Sequence, residues 1–486
     1  MQQFSHGDAL AKFLLLQALY TQRPLEPQHL SCYAYLLVNQ ENAGTQMDSI
    51  QSLYQSIREG STTPITLLDK YLERIKQIDP IINAWEFLDP QQAKIDAIIA
   101  TKELESGLYR GKLHGIPFGI KDIIDVNDWP TRAGCMSWAR SFARQDAAII
   151  TKLRKAGAIL VGKTVTTAYA SFDPPPTRNP WNLQKTPGGS SSGSAAAVAC
   201  GMIPATLGTQ TGGSITRPAS YCGVAAIKPT YGWMPLEGVL PLAQSMDHMG
   251  MLAPKIEDLE IIWEEITQTR NTKPKITKPP RIAVLKSFFW DNASEEIRQM
   301  LDETIKKLEK AGAQIAFLDL PETFAESIKE HRTIMSFEAF KIHEYWISRR
   351  PEDYPPKITS LITEGSKIKP DYYNACKTKQ KVWKNFFEIN LKQNDCYLVP
   401  ATTTEAPGIE TTGDPAFNSP WSFTGLPALS MPCQLSQSGL PLAIQLISQS
   451  NTELKLFQLG KWCEKEINYS YRCPDGLTKI IKVVNF

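Results

Sequence analysis

The chain lacks the features that would place it among disulfide-stapled, zinc-bound or membrane-spanning proteins. Its nine cysteines are odd in number, scattered over 486 residues, and form no CxxC pair. A disulfide framework or structural zinc site is therefore not expected, and a reducing cytoplasm fits best. The apolar patch Phe13-Leu14-Leu15-Leu16 is far short of the roughly 20 apolar residues needed to span a bilayer. The N-terminus also lacks the basic start of a secretory signal. Charge bias is absent: 52 basic residues face 50 acidic ones, a formal net charge of +2. That balance gives no reason to expect a nucleic acid or an anionic membrane as partner. Histidine is sparse, at six residues.

What is present is a normal globular composition, 42% hydrophobic and 21% charged, with helix and strand signals in alternation. Residues 1–46 read as a helical extension, with Leu10, Phe13, Leu14 and Leu16 followed by Tyr35, Leu36 and Leu37. Ile50, Leu53, Tyr54 and Ile57 repeat at helical spacing, closed by Gly60, and Leu68, Tyr71, Leu72 and Ile75 repeat likewise. Gly115–Ile120 and Ala158–Val161 are short Gly-bounded apolar runs, as buried strands are, with a helix expected over Ala147–Leu153 between them. Thr267–Pro280 reads as a linker and Arg281–Leu285 as a strand. Ser294 then caps a helix carrying Ile297, Leu301, Ile305 and Leu308, ended by Gly312. The stretch 286–395 is helix-rich, a lateral or cap layer, before strands at Cys396–Val399 and Leu442–Ile447. Strands alternating with helices argue an α/β fold.

Three segments stand out. In Gly115-Ile-Pro-Phe-Gly-Ile-Lys121-Asp122, a lysine lies in an apolar run. Desolvation there would lower its pKa enough for it to accept a proton, whereas the plainer reading pairs it with Asp122. Pro187-Gly-Gly-Ser190-Ser191-Ser-Gly193-Ser194 leads into an Ala-rich helix. It fails as a phosphate loop, because Ser194 stands where the lysine belongs. It also matches G-x-S-x-G, yet no apolar strand precedes it as a nucleophile elbow requires. Gly208-Thr-Gln-Thr211-Gly212-Gly213-Ser214 places a serine after two glycines, where backbone N–H groups can converge on one point or simply form a tight turn.

Together these segments, with Val161–Thr164, Asn179-Pro-Trp181, Ile227–Gly232, Ser245–Gly250 and Thr424–Ser430, resemble the amidase signature family. The resemblance covers residues 47–486 as one domain. It implies a large twisted mixed β-sheet covered by helices on both sides, and hydrolysis of a carboxylic amide to acid plus ammonia or amine. It implies that Ser214 is the nucleophile and that Ser190, reached through a cis peptide after Gly189, relays its proton to neutral Lys121. The amides of Thr211, Gly212, Gly213 and Ser214 would hold the oxyanion, and Ser191 would orient Lys121 or shape the turn. An acyl-enzyme on Ser214 follows, with no metal or cofactor required, in a monomer or homodimer acting on a small-molecule amide. Phe172, Asp173, Phe417 and Trp421 are expected to line the substrate pocket, suggesting an aromatic or acyl-chain amide.

The sequence departs from the family pattern at several positions. Gln210 replaces a common Asp, Ser192 a frequent Gly, and Ser422 a common Asn. Thr216 takes the place of an Arg, which follows one residue later as Arg217. Within the family, the rival is a glutamyl- or aspartyl-tRNA amidotransferase subunit that passes ammonia to a partner. Against it, Val165-Thr-Thr-Ala-Tyr-Ala-Ser-Phe-Asp173 stands where those subunits carry an Asn-Met-Asp-Glu-Phe-Ala type sequence. Two further rivals are a non-catalytic binding protein and a histidine-dependent esterase using His248, His331 or His343. Ser366 and Lys369 form a Ser-x-x-Lys pair without its companion motifs, read as coincidence.

Overall fold

The computed structural model describes residues 47–135, 142–269, 278–474 and 477. The 1–46 extension and most of the 267–280 linker lie outside them. The described chain opens with three helices, α1 (Ile50–Arg58), α2 (Pro64–Ile82) and α3 (Pro90–Glu105), with strand β1 (Trp85–Leu88) before the third. Each has a side-chain cap: Ser49, Thr63 and Asp89 accept from the backbone N–H three residues on, satisfying donors the first turn leaves free. Strands β2 (Pro117–Lys121) and β3 (Ile159–Thr164) flank helix α4 (Ala148–Lys155), as the Gly-bounded apolar runs predict.

Helix α5 (Ser192–Ala199), strand β4 (Thr206–Gln210), helix α6 (Thr216–Cys222) and strands β5 (Ala225–Lys228) and β6 (His248–Ala253) follow. Helix α7 (Ile256–Thr267), strand β7 (Arg281–Leu285), helix α8 (Glu295–Lys310) and strand β8 (Gln314–Leu318) lead into the lateral helices α9 (Glu326–Arg349), α10 (Pro356–Ser366) and α11 (Pro370–Asn390). The chain returns through β9 (Cys396–Pro400), α12 (Ser419–Thr424), β10 (Ala428–Leu435), β11 (Pro441–Ile447) and α13 (Glu453–Ile467). Strand β8 has no counterpart among the strands expected from the sequence. It sits at the sheet edge and is largely exposed, although Ile315-Ala-Phe-Leu318 is an apolar run.

The eleven strands form one sheet in the order β1-β3-β2-β4-β6-β5-β10-β11-β9-β7-β8. It is mixed, with parallel pairs β3–β2–β4 and β9–β7–β8 on either side of antiparallel neighbours. Successive strand residues point to opposite faces, and both faces are apolar. Ile159 and Val161 join one core cluster while Leu160 joins the other, and Leu252 and Met251 divide the same way. That is why the inner strands read as continuous hydrophobic runs rather than alternating ones.

Helix α5 is buried along its whole length. Small residues let it lie against the backbone: a Cβ on Gly193 would overlap the carbonyl oxygen of Ala84 and stand 2.5 Å from Val165 N. Gly193→Ala is therefore expected to lower the unfolding free energy by about 1–3 kcal/mol, read as an earlier midpoint in urea denaturation.

Candidate active site

Lys121 is the last residue of β2, fully buried. The parallel register sets it opposite Thr164 and sets Ile120 opposite Lys163. The two lysines thus project to opposite faces of the sheet. Lys163 lies 2.9 Å from Asp122, whose carboxylate also accepts from the N–H groups of Arg132 and Ala133. The expectation that Asp122 pairs with Lys121 is overturned, because that carboxylate is already committed on the other face. Lys121 Nζ instead lies 2.7 Å from Ser190 Oγ, 2.7 Å from Thr209 Oγ1 and 3.3 Å from the Thr209 carbonyl. Burial pushes its pKa well below the usual lysine value, opposed only by the more distant Asp247 carboxylate.

Ser190 follows a cis peptide bond after Gly189, as expected. The carbonyl of Gly189 accepts from Arg217 Nη2 at 2.8 Å, so the arginine displaced by one position in the sequence reaches the Ser190 loop from α6. The next residue, Ser191, donates its N–H to the Ser214 carbonyl at 3.1 Å and locks the two serine segments together. Its hydroxyl bonds the main chain of Thr209 at 3.3 Å. Of the two roles expected for it, shaping the turn matches this contact, and it acts on Lys121 only through Thr209. No apolar strand leads into Ser191; it stands at the start of α5 after an irregular loop.

The turn 211–214 joins β4 to α6. Its carbonyls are all engaged: Thr211 O by His331 Nε2 at 2.9 Å, Gly212 O by Ser422 Oγ at 2.7 Å, Gly213 O by Arg217 N at 2.9 Å, and Ser214 O by Ser191. Among the described residues, none of the four amide N–H groups of this turn donates to a protein acceptor, and the Ser214 hydroxyl makes no hydrogen bond. A peptide plane carries its C=O and the following N–H in opposite directions. Tying the carbonyls back therefore turns the N–H groups away from their anchors. Glycine is needed at 213, where a Cβ would stand 2.7 Å from Asn418 Oδ1.

Beside this turn lies a cavity of about 390 Å³, lined by Ile123, Thr209, Thr211, Leu236, Leu240 and Asp247 among others. Asp247 accepts from Thr211 Oγ1 at 2.5 Å and from the N–H groups of Leu242 and Ala243, and burial raises its pKa. A larger hollow, about 720 Å³, opens over the α10–α11 connection and contains none of these groups. Lys369 lines it, but Ser366 donates to the Thr363 carbonyl, which leaves the Ser-x-x-Lys spacing without a shared site.

The residues expected to line the substrate pocket are placed differently. Phe417 and Trp421 are fully buried in an aromatic cluster, Trp421 stacked on Phe289 at 5.8 Å and Phe417 tilted on the same ring at 5.2 Å. Their bulk fills the core between α12 and the single turn Phe288–Asp291. The Asp173 carboxylate accepts from Lys357 N and Ile358 N, capping α10, and Phe172 lies under the Arg332 guanidinium at 5.4 Å. None of the four borders the cavity. The cavity wall comes instead from the loop 236–244, whose scattered aliphatic residues carry no motif.

The three histidines proposed as alternative bases are committed elsewhere. His248 Nδ1 donates to the Met246 carbonyl at 2.6 Å, His331 Nε2 to that of Thr211, and His343 Nδ1 pairs with Tyr354 Oη at 3.1 Å. Among the described residues none bonds Ser190 or Ser214. No group of metal-ligating side chains able to hold an ion is found among the described residues, and no described helix is long and apolar enough to cross a membrane.

A family model described as Amidase matches residues 66–457. The chain belongs to the amidase family. Its sheet and helices match a solved structure described as an amidase, with a TM-score of 0.81 at 29% identity, covering 86% of this chain and 99% of that one. In sequence it is similar to a glutamyl-tRNA(Gln) amidotransferase subunit of Alkaliphilus metalliredigens, 31% identical over 83% of this chain and 93% of the relative. The protein of the same name from Cyanothece sp. is 30% identical over 88% and 100%.

Burial depresses His331 and His343 from the ordinary 6.5 to about 4. The unfolded chain takes up protons at these rings below about pH 6.5 while the folded chain resists until about pH 4. The contribution of these two rings to stability is therefore expected to be full above pH 6.5 and to be lost progressively from there toward pH 4. The buried Asp79 and Asp258 carboxyls, raised to about 6 and about 7, give the opposite slope. Thermal melting of the parent beside His331→Gln/His343→Gln isolates the histidine contribution: relative to the variant, the parent should lose stability as pH falls from 6.5 toward 4.

Proposed function

We propose that this chain cleaves the C–N bond of a carboxylic amide by acyl transfer to Ser214. The observation that carries the reading is Lys121: a desolvated amine with no carboxylate in contact, 2.7 Å from Ser190 Oγ. An ammonium so placed would be costly, and a neutral amine can accept a proton. The Ser190 hydroxyl donates to Lys121 Nζ and takes the proton of Ser214 as the Ser214 oxygen attacks the carbonyl carbon. Negative charge gathers on the former carbonyl oxygen, where the N–H groups of residues 211–214 are free to receive it. The tetrahedral adduct collapses, the amine leaves with the proton returned through Ser190, and an acyl ester remains on Ser214. Water, activated by the same relay, attacks the ester and releases the acid.

Two destinations exist for the nitrogen. The relatives named as glutamyl-tRNA(Gln) amidotransferase subunits support a role as one component of an assembly, with ammonia handed to a partner. The segment Val165–Asp173, unlike the sequence those subunits usually carry, supports release to solvent by a self-sufficient hydrolase. Both readings share the amide-cleaving step. The purified protein, offered glutamine and a panel of aliphatic and aromatic amides, separates them. Turnover of simple amides by the chain alone supports the hydrolase. Glutamine cleavage that appears only with partner subunits supports the amidotransferase.

In either case Ser214→Ala and Lys121→Ala are each expected to lower kcat by at least ~1,000-fold. Lys121→Arg should be equally inactive, since a guanidinium stays protonated. The parent should lose activity as pH falls through the depressed lysine pKa. Parental rates in Ser214→Ala, by ammonia release, would overturn the mechanism.

A further inference from the structure

Two departures from the family pattern lie 212 positions apart and touch each other. Gln210 Nε2 donates to Ser422 Oγ at 3.1 Å, and Ser422 Oγ donates in turn to the Gly212 carbonyl at 2.7 Å. The other end of the same side chain works across the turn: Gln210 Oε1 accepts from Ile215 N at 2.9 Å, Thr216 N at 3.0 Å and Thr216 Oγ1 at 3.2 Å. Gln210 is thus a strut beneath residues 211–214, tied to the start of α6 at one atom and to α12 at the other. All of these groups are buried, so water does not substitute for a lost partner.

The chemistry of the exchange is reciprocal. The Asp common in the family at this position offers only acceptors when ionised, and the Asn common at the position of Ser422 carries N–H donors of the complementary kind. Here the amide sits on the strand side and is one methylene longer, while the facing residue is shorter by a comparable amount. The two pairs span the same number of side-chain atoms between main chains. The serine adds a hydroxyl hydrogen that reaches Gly212 O. Because Gly212 C=O and Gly213 N–H are antiparallel in one peptide plane, that bond sets where the Gly213 amide points.

We propose that Gln210 and Ser422 are a matched positioning pair that aims the Gly213 N–H at the oxyanion, and that either can revert to the family's residue only if both do. The inference rests on the proposed role of Ser214 and of the turn 211–214; neither Gln210 nor Ser422 touches the reacting atoms.

The experiment is steady-state kinetics on whichever amide the panel shows to be turned over, with parent, Gln210→Asp, Ser422→Asn, the double variant Gln210→Asp/Ser422→Asn, Ser422→Ala and Ser214→Ala. Removing a whole oxyanion donor costs about 100- to 1,000-fold in kcat; a misaimed one is expected to cost about 10- to 100-fold. Each single variant should show that fall with KM within about threefold of the parent, and the double should recover to within about threefold in kcat. Ser422→Ala, which removes only the hydroxyl and leaves Gln210 Nε2 and Gly212 O without it, should fall in kcat like the single variants with KM near the parent's, and its melting temperature should drop. If a single variant fails to fold, recovery of both folding and kcat in the double supports the pair. A double variant whose loss is the product of the single losses overturns it, as do single variants at parental kcat beside an inactive Ser214→Ala. Full activity in Ser214→Ala overturns the nucleophile assignment, and this pairing with it.

Discussion

The site turns on one electrostatic fact: a lysine amine taken out of water and denied a counter-charge. The protein buries Lys121, Lys163 and Lys228 completely, and treats each differently. Lys163 keeps a carboxylate at 2.9 Å. Lys228 donates to the carbonyls of Leu426 and Pro229. Lys121 is surrounded by two hydroxyls and a carbonyl, an environment that suits an amine better than an ammonium. What distinguishes it from Lys163 is the one-residue offset across β2 and β3, which sends the two side chains to opposite faces and gives Asp122 to only one of them.

Everything else at the site serves to bring partners to that amine without hydrating it. The Ala-rich α5 packs tightly enough to exclude solvent behind Ser190. Arg217 and Ser191 hold the Ser190 loop against the Ser214 turn. His331 and Ser422 draw that turn's carbonyls toward α9 and α12. The lateral layer is thus more than a cover, since α9 contributes His331 directly to the geometry of residue 211.

Much of this is legible in the sequence, unevenly. Buried strands and capped helices can be read because apolar periodicity and Ser, Thr and Gly punctuation are local signals; Ser294 and Gly312 bracket α8 as expected. Lys121, Ser190 and Ser214 come within reach because their loops need glycine and serine in fixed order. The cavity wall does not, because loop 236–244 faces the site through tertiary packing that leaves no periodic trace. Aromatic residues are a poor guide. Phe417 and Trp421 answer to the core, where large rings are most often found, and Asp173 to a helix terminus. Histidine chemistry suggests a base, whereas the fold uses His331 as a donor to a carbonyl. Gln210 and Ser422 are two unrelated oddities in the sequence until the sheet places them side by side.

The strand order has a consequence for how the molecule comes into being. Strand β10, near the end of the chain, inserts beside β5 and joins the two halves of the sheet in its middle. The turn at 211–214 draws its anchors from residues 191, 331 and 422, so no early stretch of the chain can shape it alone. Such dependence on distant pairings slows folding and leaves apolar strand edges open while the chain waits for its last segments. A nascent chain that ends before α12 would carry Lys121, Ser190 and Ser214 without the Ser422 anchor of the turn 211–214. One that ends before β10 would still lack the strand that joins the two halves of the sheet.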